Sequence, residues 1–348
     1  MELDTAYYEV KKRLDLIDFG ALWEGFTPLR FALYNDKECF FDGRFIEKTD
    51  AFIANTAIEF NGEQTAIWNM TEQTDDMDRL ASKLAHEMFH GFQNSSNESR
   101  WADERAALFL YRYSAENVSI KLREAALMRD IIASPSAEAL SELLSLRRAR
   151  AERFPYEYDY EARTEQTEGS ANYVELKALS VLAPEKAAAE WERILEKIGD
   201  PAGYAPIRVI SYYTGAAFLR CLSLCGRNDF YGFGSIPFSQ AAIEGASPAS
   251  SLPDVDPRAE ESLRAFNGET ERMINDALER NDLVLEGAYP LAMLNVYNAR
   301  RLGAYVTSSY YISYFDGEKP VVLYGDFVAE TDEDFVLKRV YRLRKNPE

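Results

Sequence analysis

Histidine is almost missing from this chain: there are two in 348 residues, at positions 86 and 90. Cysteine is nearly as scarce. Cys39, Cys221 and Cys225 show no CxxC spacing, which excludes a disulfide framework and a closed, cysteine-rich structural zinc site. Positive charge is in deficit, with 39 Lys and Arg against 58 Asp and Glu, and the net charge of −19 argues against nucleic acid or an anionic membrane as partner. No uninterrupted apolar stretch is long enough to span a bilayer, and Met1-Glu2-Leu3-Asp4-Thr5 lacks the basic and apolar regions of a signal peptide. The expected location is therefore the cytoplasm, and the sequons at Asn69, Asn94, Asn97 and Asn117 count as chance matches. There is no Gly-x-Ser-x-Gly, which leaves serine hydrolase chemistry without its nucleophile elbow.

What is present is concentrated in Leu84-Ala85-His86-Glu87-Met88-Phe89-His90-Gly91-Phe92-Gln93, which holds both histidines in the pattern HExxH. With so few histidines, a chance arrangement of this kind is on the order of one in a thousand. Helical residues at i and i+4 lie on one face, so His86 and His90 can grip one metal ion. Glu87 sits about 100° further round, within reach of a metal-bound water. Met77, Ala81, Leu84, Ala85, Met88, Phe89 and Phe92 cluster on the opposite arc, so one side of the helix can be core while the other lines a cleft. Metal-assisted hydrolysis needs this combination of two neutral imidazoles, an acidified water and a nearby carboxylate base.

The rest of the chain predicts an α+β fold, mainly helical. An amphipathic helix is expected over about 3–23. Short strands follow at Arg30–Tyr34, Glu38–Phe41, Phe52–Phe60 and Gln64–Met70, the last two joined by a hairpin at Asn61-Gly62. These make a small, mostly antiparallel sheet ahead of the HExxH helix, with Ala66-Ile67-Trp68-Asn69 expected as its cleft-side edge. Helices are then expected over Trp101–Asp130, Ser136–Arg150, Glu161–Leu182, Glu185–Ile198 and Ile207–Leu224, with Pro155–Tyr160 as a connection. Residues Gly232 to Pro257 read as a loop region with one helical turn near Gln240, and Arg258–Glu279 as a charged helix. Strand periodicity returns from Leu291, at Tyr305–Tyr314, Pro320–Leu323 and Phe335–Tyr341, with a turn at Asp316-Gly317. The domain reading is a core over 1–282, β-containing to about 95 and helical after it, and a β-rich segment over 283–348 that belongs to the same domain or forms an appendage.

With no third histidine, the remaining protein ligand must be a carboxylate. Glu98, Asp103, Glu104, Glu165 and Glu168 are the candidates. Glu168 is favoured because the small residues after it let its helix pack close to the HExxH helix, and Glu104 stays open as the alternative. Asn172, one turn on, faces the same way and is expected to orient a ligand histidine.

HExxH followed by Glu168-Gly169-Ser170-Ala171 resembles the gluzincins, in particular aminopeptidase-N-like enzymes and clostridial collagenases. The resemblance implies a zincin-like fold, one zinc ion held by His86, His90 and Glu168, and peptide hydrolysis with Glu87 as general base. The His86–Gln93 run also looks like the collagenase helix. Ser211-Tyr212-Tyr213-Thr214-Gly215-Ala216 is similar to the Tyr-x-x-Gly helix of the aminopeptidase-N group, which implies that Tyr212 steadies the oxyanion. The interval between His90 and Glu168 is much longer than in that group, implying inserted helices. Their Gly-x-Met-Glu-Asn strand has no counterpart near Trp68-Asn69-Met70, so the choice between endo- and exopeptidase stays open. The expected partner is a peptide or protein substrate. A non-peptidase amidase or esterase on the same site, and a zincin-like binding protein with a retired site, are the alternatives.

Overall fold

Strand-type alternation over about 30–69 and helical periodicity over about 77–280 give the first sheet and the helical half of the main core. The computed structural model describes residues 2–70, 75–230, 232 and 234–343. Helices α1 (Leu3–Leu14) and α2 (Phe19–Leu22) come first. The single helix expected over 3–23 is thus two, because the Asp18 carboxylate accepts from the Ala21 amide and caps a new start. Strands β1 (Arg30–Tyr34), β2 (Cys39–Phe41), β3 (Arg44–Ile46), β4 (Thr56–Phe60) and β5 (Glu63–Asn69) form one sheet in the order β3-β2-β1-β5-β4. All its pairings are antiparallel except β1 with β5. Asn61 and Gly62 both take positive φ and close a two-residue hairpin, the geometry an Asn-Gly pair favours.

The edge expectation needs correction. β5, which carries Ala66-Ile67-Trp68-Asn69, is interior, paired to β1 on one side and β4 on the other, so the edge strand beside it is β4. Local sequence marks a strand as half-buried but not where a long-range parallel partner will dock, and here that partner is β1, separated from β5 in the chain by three other strands.

The HExxH helix is α3 (Met77–Ser95), capped by Asp76, whose carboxylate accepts from the Asp78 and Arg79 amides. Its apolar arc is buried: Leu80, Ala81, Leu84, Ala85, Met88 and Phe89. Gly91 faces the sheet, where a β-carbon would lie 3.3 Å from Gln64 Cβ and 3.4 Å from Ala57 Cβ.

The helical half contains α4 (Glu104–Leu110), α5 (Ala115–Ala133), α6 (Ala137–Arg153) and α7 (Pro155–Thr164). A π-helical turn (Glu165–Gly169) then leads into α8 (Ser170–Leu182), followed by α9 (Pro184–Ile198), α10 (Ile207–Leu224), α11 (Phe238–Ala242) and α12 (Pro257–Arg280). Two expectations fail here. Trp101–Asp130 is broken at Tyr111, and Ser114 recaps the chain by accepting from the Asn117 amide. Pro155–Tyr160 is helix, not connection, because proline in the first turn has no amide to lose. The helical turn near Gln240 is α11. Positions 233 and 344–348, parts of the expected loop and C-terminal segment, lie outside the described residues.

A second sheet collects β6 (Leu283–Leu294), β7 (Arg301–Leu302), β8 (Tyr305–Ser308), β9 (Tyr311–Asp316), β10 (Lys319–Tyr324), β11 (Asp326–Thr331) and β12 (Val336–Leu343), in the order β10-β9-β6-β12-β11-β8-β7. It encloses its own core of Leu291, Ile312, Phe327, Leu337 and Val340, against which Leu108 and Phe109 of α4 pack. The fold is therefore α+β with two sheets. Among the described residues no helix is long and apolar enough to cross a membrane.

Candidate metal centre

On α3 the two imidazoles meet edge to face one turn apart, with His86 Nε2 and His90 Nε2 3.1 Å from each other. Glu168, on the π-helical turn, closes the triangle: its Oε2 is 3.4 Å from His90 Nε2 and 3.9 Å from His86 Nε2. The π turn carries one extra residue per turn, a local change that re-aims a side chain and recurs at functional sites. It is pinned from behind by Glu165. That buried carboxylate accepts from Arg147 at 2.8 and 2.9 Å and from Thr214 Oγ1 at 2.8 Å, with Ser239 as a further donor.

Helix α10 crosses the same turn with almost no gap. A β-carbon on Gly169 would lie 2.8 Å from Gly215 Cα, so two glycines facing each other set the distance between the backbones. Gly215 is three residues after Tyr212, and the close crossing brings the Tyr212 phenol to Glu168. Burial and the Glu168 charge push the Tyr212 pKa far above the ordinary phenol value, so it is a neutral donor. Its hydroxyl is buried and makes no hydrogen bond of acceptable geometry among the described residues; Glu168 and Tyr297 are its polar neighbours.

The outer nitrogens of both rings are engaged. His86 Nδ1 is 3.1 Å from Glu175 Oε2. His90 Nδ1 is 2.9 Å from Gln93 Oε1, while the Gln93 amide donates to the Thr167 carbonyl at 3.0 Å and to Ser170 Oγ at 3.1 Å. Because the Gln93 nitrogen is used as a donor, its oxygen is the acceptor facing His90. Both rings therefore hold a proton on Nδ1 and turn Nε2 towards Glu168. Asn172, expected in the orienting role, does not reach either ring through any hydrogen bond in the structure; Glu175 and Gln93 do that work. The signal for Glu175 was its position seven residues after Glu168, two turns along one helix.

Two imidazole Nε2 atoms and a carboxylate oxygen converging in this way need positive charge between them, which a proton or a metal ion supplies. Donors about 2.0–2.1 Å from a tetrahedral zinc stand roughly 3.3 Å apart, close to the separations of 3.1, 3.4 and 3.9 Å found here. The local field points the same way. Burial pulls the His86 imidazole down, but Glu175, Glu87 and Glu168 outweigh it and push its pKa up to about 9. Burial likewise raises the Glu168 carboxyl, and His90, His86 and Tyr212 more than offset this, leaving it below its ordinary value. The His86, His90 and Glu168 side chains are 13, 14 and 14% exposed, so the group is reachable from outside. The donor set fits one zinc ion.

The other carboxylates considered as ligands are occupied elsewhere. Glu98 is paired with Arg100, and Asp103 caps α4. Glu104 accepts from Tyr160 at 2.8 Å and from Arg208, so it stands one arginine away from the centre and not in it. That arginine was not singled out from sequence. Its other arm donates to Glu168 Oε1 at 2.9 Å. Glu87, next to His86, is half-buried, and among the described residues no hydrogen bond or salt bridge engages its carboxylate. Compared with family models, with curated proteins and with solved structures, the chain has no match.

Proposed function

We propose that this protein is a zinc-dependent peptidase of gluzincin type with a zincin-like catalytic fold. The observation that carries the reading is the convergence of His86 Nε2, His90 Nε2 and Glu168 Oε2 within 4.8 Å of one another, with the outer nitrogens of both rings held by Glu175 and Gln93. Those three residues would hold the ion. When bound, zinc supplies a Lewis acid and lowers the pKa of a coordinated water from about 15.7 to about 7.

The chain's own groups do the rest. Glu87, adjacent to His86 and without a hydrogen bond or salt bridge among the described residues, takes the proton of the attacking water and passes it to the leaving nitrogen. Tyr212 donates its hydroxyl to the oxygen that gains charge, a contribution of about 3–4 kcal/mol for a well-placed donor. An extended peptide would pair with the exposed edge of β4, which borders α3 through Ala57 and Gly91. This edge favours a peptide over a small ester or amide as substrate. The net charge of −19 is unsuited to nucleic acid or anionic membrane partners. Free Cys39, Cys221 and Cys225 suit a reducing compartment such as the cytoplasm.

The test is Glu87→Gln. Zinc content and affinity should stay at the wild-type level while hydrolysis of a fluorescent casein or a peptide library falls by about 10²–10⁴-fold. Equal turnover by the variant would remove Glu87 from the reaction. Zinc binding that survives His86→Ala and His90→Ala would remove the metal centre.

A further inference from the structure

One side chain of the C-terminal segment, Tyr297, packs on the arginine that holds Glu168. Tyr297 sits on the turn between β6 and β7, and its ring lies 5.2 Å from the Arg208 guanidinium carbon. The Tyr212 ring, one turn along from Arg208 on α10, is 5.6 Å from the same carbon. Arg208 is thus flanked by two aromatic faces while its terminal nitrogens hold Glu104 and Glu168 Oε1. It is 14% exposed, although Tyr297 itself is 53% exposed.

We infer that Tyr297 is a positioning residue for the metal ligand: it holds Arg208 in the plane that restrains Glu168 Oε1, leaving Oε2 alone for zinc. The inference rests on the metal-centre reading above.

The physical reasoning runs through Arg208. A carboxylate with both oxygens free can rotate or bind an ion through both, whereas one with Oε1 tied to an arginine presents a single oxygen. The restraint is only as firm as the arginine. On one side it leans on Tyr212, from its own helix. On the other, Tyr297 is the flanking ring; without that ring the guanidinium gains water, which screens its pull on Glu168.

The turn that presents Tyr297 is built firmly enough for the task. Asn295 Oδ1 accepts from the Tyr297 amide at 3.2 Å, the Asn295 amide donates to Ser308 Oγ at 3.1 Å, and Ser309 Oγ donates to Asn298 Oδ1 at 2.7 Å. Val296 and Ala299, on either side, pack into the C-terminal core. A second tie runs through α4, which offers Glu104 to Arg208 and buries Leu108 and Phe109 against the same core. Arg301 stacks on Phe109 at 4.5 Å and donates to its carbonyl at 3.0 Å. The β-rich segment is on this account a working part of the metal centre.

The experiment is competition for zinc alone between a chelator and the full chain, in wild type, Tyr297→Ala, Tyr297→Phe and His86→Ala, with the thermal melt of each metal-free protein recorded alongside. The expected result is zinc affinity weakened about three- to tenfold in Tyr297→Ala and within about twofold of wild type in Tyr297→Phe, since the ring face does the holding. The metal-free melts should coincide, because Tyr297 is on the surface. Wild-type affinity in Tyr297→Ala, or an equal loss in Tyr297→Phe, overturns the inference while leaving the metal centre standing. A wild-type chain that takes up no zinc, or a His86→Ala chain that binds it as well as wild type, overturns the metal-centre reading and this inference with it.

Discussion

Glu175 Oε2 stands 3.1 Å from His86 Nδ1, so the ring that offers Nε2 to the centre is held from behind by a carboxylate two helical turns beyond Glu168. The pairing fixes the tautomer and raises the basicity of the opposite nitrogen. Glu175→Gln keeps an acceptor but loses the charge, and Glu175→Ala loses both. Zinc affinity is expected to fall about 10-fold in the first and towards 100-fold in the second, measured by chelator competition. Undiminished affinity in Glu175→Ala would show that the contact does not tune the ligand.

The contact between Gly169 and Gly215 makes a prediction of the opposite kind, about backbone and not charge. A methyl group at either position meets the other's Cα at 2.8 Å, and neither helix has a flexible side chain there to move aside. Gly169→Ala or Gly215→Ala should destabilise the fold by about 3 kcal/mol or more in urea titration. Both should also weaken zinc binding, because the π turn that aims Glu168 must shift. A variant at either glycine with an unchanged urea midpoint would show that the helices have slack at this crossing.

What the sequence exposed and what it hid divide along one line. Features decided within a few residues were legible: the Asn61-Gly62 hairpin, the Ile207–Leu224 helix, the placing of His86 and His90 on one helix face and the small residues following Glu168. Features decided by distant partners were not. The interior place of β5 depends on parallel pairing with β1, and the π turn at Glu165–Gly169 has no local signature beyond its glycine. Nothing in the sequence around Arg208 sets it apart from other arginines; α4 and the Tyr297 turn meet it only in the fold. Asn172 faces the same way as Glu168 only under ordinary helical spacing, which the π turn at Glu165–Gly169 alters.

Behind the centre, Glu161 lies fully buried beside Arg150 and Lys121, at 2.9 Å from each, and accepts from the Tyr111 hydroxyl at 2.5 Å. Burial raises its carboxyl pKa, but Arg150, Lys121 and the Tyr111 hydroxyl overcome this and bring it down to about 2. A folded-state value below the unfolded one means stability that is fully present above the ordinary carboxylate value and lost as pH falls towards 2. The contribution is on the order of 3 kcal/mol. Urea midpoints followed from pH 7 to pH 2 with excess EDTA, so that zinc loss does not enter, should fall more steeply for wild type than for Glu161→Gln. At neutral pH the variant should be about 3–5 kcal/mol less stable, since Arg150 and Lys121 are left buried without that partner. Parallel pH curves for the two proteins would contradict the assignment.

Tyr212 offers the sharpest separation of stability from chemistry. Its hydroxyl is buried beside Glu168 and Tyr297 and makes no well-formed hydrogen bond among the described residues, which costs about 1–3 kcal/mol. Removing that oxygen should therefore leave the melting temperature of Tyr212→Phe equal to or above that of wild type. If the phenol waits for an oxygen that gains charge only during reaction, the same variant should lose about 10²–10³-fold in kcat with KM and zinc affinity little changed. A loss confined to KM would make Tyr212 a substrate-binding residue, and a loss of zinc affinity would make it a support for Glu168. Only a kcat defect in a protein at least as stable as wild type fits a donor poised for the transition state.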